Sequence, residues 1–276
     1  MVRTLTTISP SGTRLMEQAD DVGGDIEAVL RVQGALCYTA LPPIRSGNPL
    51  PDRGEARYMK QNVRLTGLGN DNFTSAIAGL ANIAIFMGEN MERGDIESWK
   101  TERFRTWQAL DISNRFFVMQ NGEGDMSSVP FADGVDPDGV LATMAGEKWV
   151  HTEDNQVQYF RLNSKSDGTL KYGPAKPADF KVGDLVEAQF SAVAVRRRNQ
   201  NDVHSLKLVL RALTLLDDTY TKAARADRLR VNTTAPSTPS RGLKRNVGYL
   251  DEEIGDSADV PTSKMTKLCI NEVTMD

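Results

Sequence analysis

The 276-residue sequence contains two cysteines, Cys37 and Cys269, and two histidines, His151 and His204. Cysteines so far apart give neither a disulfide framework nor the paired spacing of a zinc site, so both read as reduced thiols of an intracellular protein. No apolar run approaches the roughly 18 residues that cross a bilayer. The opening MVRTLTTISPSGTR also lacks the apolar segment of a signal peptide. The expected location is therefore the nucleus or cytoplasm, and the glycosylation patterns at Asn72 and Asn232 read as chance. There is no P-loop, dinucleotide fingerprint or nucleophile elbow, and the acids show no spacing of paired catalytic carboxylates. A net charge of -4, from 33 basic and 37 acidic residues, excludes coating nucleic acid by bulk charge. A local basic patch stays compatible with it.

The residues that are present, 39% hydrophobic and 25% charged, suffice for a substantial core in one or two domains. No internal repeat interrupts them. Polar, aperiodic residues 1–24 read as a flexible arm, 25–220 as a single domain and 221–276 as a disordered tail too poor in apolar periodicity to offset ordering entropy. Within the domain, Ile26 to Leu41 reads as one or two strands stopped at Pro42-Pro43, and Ala56 to Thr66 as a partly exposed strand. The spacing of Phe73, Ile77, Leu80, Ala84 and Met87 predicts a buried helix, with Asp71 or Asn72 as its N-cap. Ile96, Trp99, Phe104, Trp107 and Leu110 predict a second, amphipathic helix packed on the first.

After RFFVMQ, read as a short strand, Val140, Leu141 and Met144 suggest one helical turn. Val150 to Leu162 then reads as two extended pieces, with a hairpin turn at Asp167-Gly168. Val182 to Arg197 alternates, with Val186, Ala188, Phe190, Ala192 and Ala194 facing one way and Glu187, Gln189 and Ser191 the other. The strand after the turn at 198–203 places Leu206, Leu208, Leu210, Ala212 and Leu216 on one face and Lys207 and Arg211 on the other. The fold class that follows is α+β: an antiparallel β-barrel or curled sheet, with an OB-like closure as one form, carrying two packed helices.

The strings GLGNDNFTSAIAGLANIAIFM, NMERGDIESWKTERFRTWQ, DPDGVLATM, VHTEDNQVQYF, KVGDLVEAQFSAVAV and LKLVLRALTLLDD, in that order over about Gly67 to Asp218, resemble a lineage-expanded family of basidiomycete fungal proteins. VHTEDN, GDLVEAQ and LRALTLLD are the most specific of them. The resemblance implies a setting, in repeat-rich and mobile-element-associated genes, and no catalytic mechanism, because that family is uncharacterised. It also implies no fixed histidine at the position of His204.

Two clusters bear on chemistry. Arg196, Arg197 and Arg198, with Lys207 and Arg211 across the hairpin, form a basic stripe on a strand face, with the aromatics Tyr159, Phe160 and Tyr172 on neighbouring strands. Phosphate contacts combined with base stacking on such a face would bind single-stranded nucleic acid. The simpler reading, and the one a lone charge run favours, makes the arginines a solvated turn and the aromatics core, which leaves association with another protein as the partner. The expectation is a non-enzymatic binding or assembly module without a cofactor. The alternative, a non-haem iron oxygenase, draws on His151, Glu153 and His204 as a two-His-one-carboxylate triad, with Arg211 holding an acidic co-substrate.

Overall fold

The computed structural model describes residues 2–7, 12–18, 24–45, 53–91, 94–120, 127–164, 168–197 and 202–234. The chain divides into two units, Met1–Arg230 and Val231–Asp276. Of the second unit only residues 231–234 are described, so the tail expected after them lies outside the described residues.

Strands β1 (Val2–Thr7) and β2 (Gly12–Gln18) occupy the segment expected to be an arm, followed by β3 (Asp25–Glu27) and β4 (Val29–Ala40). That arm is therefore corrected to a ribbon: β1 pairs with β2, and β2 reaches the main sheet through Arg14 opposite Val193. A 3-10 turn at Arg53–Tyr58 leads into β5 (Lys60–Thr66), which is buried rather than partly exposed because it lies between two strands.

Helix α1 (Asp71–Glu89) buries the five residues its spacing predicts. Its cap is Asn70, one position before the expected ones: the Asn70 side chain accepts from the backbone N–H groups of Asn72 and Phe73.

The second predicted helix is absent. Its residues form β6 (Asp95–Ile96), β7 (Glu102–Phe104) and β8 (Trp107–Arg115). Arg105 adopts a φ of 55°, which ends any helix and turns β7 back on β8. The ladder from β8 to β5 then sets Leu110 and Ile112 inward at period two, so strand pairing overrides a coincidental helical spacing.

Beyond β9 (Val118–Met119), α2 (Val140–Ala145), β10 (Trp149–Val150), β11 (Gln158–Ser164) and β12 (Leu170–Pro174), the chain enters β13 (Leu185–Arg196) and β14 (Val203–Asp217). These last two form the predicted long hairpin, with a register shift at Gln189/Phe190. The segment expected to be unstructured from Thr221 begins within α3 (Thr219–Thr234). Among the described residues no helix is long and apolar enough to cross a membrane.

Among the described residues twelve strands make one mixed sheet, and pairings within it close a ring of five: β4, β5, β8, β14, β13 and back to β4. Every contact in the ring is antiparallel except β8 with β14, which is parallel and rests on one register pair, Ser113 with Val209. The side chains of Leu36, Leu65, Ile112, Phe190 and Leu210 fill a core that α1 also enters. A second cluster of Ala56, Phe116, Phe117, Val135, Leu141 and Trp149 lies apart from it.

Candidate nucleic-acid interface

The weak contact between β8 and β14 borders an open groove of about 880 Å³. Outward residues of β8 (Asp111, Ser113, Arg115) and β14 (Ser205, Lys207, Val209) line it, with Val193 and Val195 of β13. The segment Glu97–Glu102 walls one side, with Trp99 half-buried against the core, while Arg14, Asp154 and Asn155 complete the lining. Tyr58 and Lys60 stand at its edge, the Tyr58 ring exposed beneath the Arg57 guanidinium at 4.4 Å.

Charge in this groove divides into two classes. Four lining carboxylates already have cations: Glu97 meets Arg197 at 2.5 Å, Glu102 meets Arg64 at 3.7 Å, Asp111 meets Arg64 at 3.2 Å and Lys60 at 3.9 Å, and Asp154 meets Arg14 and Arg211. Lys100, Arg115 and Lys207 are exposed and have no carboxylate partner among the described residues. The groove is thus locally basic although the whole chain is acidic, because its acids are neutralised in place.

The predicted stripe is split by this arrangement. Lys207 is in the groove, Arg196 is exposed at the end of β13, and Arg197 is held by Glu97. Arg198 lies outside the described residues. Arg211, at 14% side-chain exposure, is not available to a ligand: its guanidinium contacts Glu27 at 2.8 Å, Asp154 at 2.9 Å and the Ser191 hydroxyl at 3.1 Å. Beside it Arg14 bridges the same two carboxylates. Burial lowers the Arg14 pKa, but attraction to Asp154 and Glu27 outweighs this and raises it.

Tyr159 is also withdrawn from the surface, since β11 turns it into the core, where its hydroxyl donates to Gln61 at 2.5 Å. Burial pushes that phenol well above its usual range. Phe160 is half-buried, and Tyr172 is exposed on β12 at the far edge of the sheet.

The oxygenase triad is not assembled: among the described residues no three His, Cys, Asp or Glu side chains converge to hold a metal. His151 is buried in the second cluster, its Nδ1 2.8 Å from the Phe116 carbonyl and its ring 4.3 Å from that of Phe131. Glu153 is exposed on a 3-10 turn, and His204 belongs to β14, opposite Arg196. Arg211, the proposed co-substrate anchor, is consumed by its two carboxylates.

No family model and no curated protein matches this chain. Among solved structures it is similar to gp2.5, a single-stranded DNA binding protein encoded by bacteriophage T7, at 11% identity and a TM-score of 0.31, over 69% of this chain and 92% of that one. The likeness is too remote to carry a ligand across.

Sequence reasoning missed Lys60, Lys100, Arg115, Tyr58 and Trp99, which come from separate strands and loops. One signal was present. Outward positions of the β13 segment change from Glu187 and Gln189 to Val193 and Val195, a break in polarity that marks the groove floor.

Burial of His151 lowers its pKa from 6.5, against a smaller upward effect of the Phe116 carbonyl. The neutral ring is the folded form, so its stabilisation is complete above the unfolded value and declines as pH falls below about 6.5 toward the folded pKa. Urea unfolding at pH 8 and pH 5.5 should show this loss, and His151→Asn should flatten it. An unchanged pH dependence in the variant would assign the loss to other groups.

Proposed function

We propose that this protein is a non-enzymatic module that binds single-stranded nucleic acid in the groove between β8 and β14. The observation that carries the reading is the convergence of Lys100, Arg115 and Lys207, which have no carboxylate partner among the described residues, on one groove with an apolar floor and the rings of Tyr58 and Trp99. Phosphates meet the cations, and sequence-tolerant stacking draws on the aromatic faces. The order of the five-strand ring, with its single parallel contact, supports an OB-like reading of the fold, in which one barrel face and its loops receive a single strand.

Fluorescence anisotropy of a labelled oligonucleotide tests the proposal. Three phosphate contacts predict a slope of log affinity against log salt of about -2 for a single strand. The variant Lys100→Ala/Arg115→Ala/Lys207→Ala should bring the slope near zero and remove most of the affinity at low salt. Unchanged binding by this variant would place any nucleic-acid site elsewhere, and absence of binding by the wild type at low salt would remove the reading.

A further inference from the structure

Resting on that reading, we infer that Glu97 is the internal counter-ion of the groove: it holds Arg197 in reserve and sets how strongly the site answers a polyanion. Arg197 belongs to the predicted stripe, as Lys207 does, yet its guanidinium ends on a groove-lining carboxylate at 2.5 Å.

Main-chain geometry keeps both partners at the same place. Residue Asp95 donates its N–H to the Asp202 carbonyl at 2.8 Å, Glu97 donates to the His204 carbonyl at 2.9 Å, and Arg197 donates to the Val203 carbonyl at 2.9 Å. Close approach of these segments depends on Gly94, whose φ is 86° and where a Cβ would stand 2.5 Å from the Asp202 carbonyl oxygen. Neither side chain takes part in these backbone bonds, so changing a side chain leaves the positions of Glu97 and Arg197 intact.

The two side chains are 39% and 47% exposed, so water screens the pair and a phosphate can compete for the guanidinium. Glu97 therefore acts twice. It occupies the cation that would otherwise be a fourth phosphate contact, and its own charge opposes a polyanion entering beside Lys207. A ligand of low charge density does not displace it, whereas a nucleic-acid strand held by the three free cations presents phosphate at high local concentration. The carboxylate thus favours ligands that already satisfy the rest of the groove, which is specificity obtained by an opposing element.

A double-mutant cycle tests this with the same labelled oligonucleotide, on the full chain. Glu97→Gln should tighten binding about two- to fivefold at low salt, the range that release of an exposed ion pair supplies, and should steepen the salt slope by about 0.7 for one added contact. Arg197→Ala should weaken binding more in the Glu97→Gln background than in the wild type, which is the non-additivity expected of coupled side chains. Equal effects of Arg197→Ala in both backgrounds, or no gain from Glu97→Gln, would overturn the counter-ion role while leaving nucleic-acid binding in place. If neither the wild type nor Glu97→Gln binds, the functional reading fails and this inference fails with it. Matching thermal unfolding of all four proteins checks that the cycle compares folded chains.

Discussion

Replacing Arg211 with alanine should lower the free energy of unfolding by about 3 kcal/mol and leave the salt slope of oligonucleotide binding unchanged. In the native protein Arg211 and Arg14 share Glu27 and Asp154, and none of the four side chains is more than 26% exposed. The cluster ties β2 and β3 to β14 and to the turn that carries Asp154. Removing one cation leaves a surplus of largely buried negative charge on Glu27 and Asp154, while the Asp154 carbonyl keeps only its bond from the Asn114 amide at 2.8 Å. Urea unfolding at neutral pH measures the loss. A change below about 1 kcal/mol, in the range of an exposed pair, would mean that water reaches the cluster freely, and a reduced salt slope would return Arg211 to the binding surface.

Phe190→Ala is the other large effect, about 3–5 kcal/mol of destabilisation. Phe190 is 1% exposed and pairs with Leu30 on one side and Leu210 on the other, so its ring serves three strands of the closed ring at once. Neighbouring strands are fixed by their ladders and cannot collapse into the space left behind, which adds a cavity cost to the lost transfer energy. Phe160→Ala, at a half-buried site on β11, is the comparison and should cost clearly less. Similar losses for the two would show that the ring interior relaxes around Phe190.

Local patterns in the sequence were sufficient wherever a segment's own periodicity decides its structure. Helix α1 and the β13–β14 hairpin were legible because each has an unbroken apolar face, of period near 3.6 in one and 2 in the other, over more than ten residues. Residues 95–110 were misread because their apolar positions carry a helical spacing, and from Ala109 the choice was made by β5, a segment about forty residues earlier that offers a complete ladder. The N-terminal ribbon was missed for the same reason: Thr13 and Arg14 carry no apolar pattern and are buried only because β13 is there to pair with them.

The sequence by itself determined that the chain has an α+β core, a long hairpin with basic residues near its turn, and too few histidines and cysteines to supply a rich metal site. Tertiary structure alone decided which of its charges are free. Arg211 and Lys207 lie four residues apart on one strand and were equivalent by alternation, yet a register shift and the approach of Glu27 and Asp154 bury the first in an ion-pair cluster while the second stays exposed. Alternation records which face a side chain takes, but neutralisation depends on which distant carboxylates the closed ring brings within contact, and those arrive from β3 and from the turn at Glu153–Asn155.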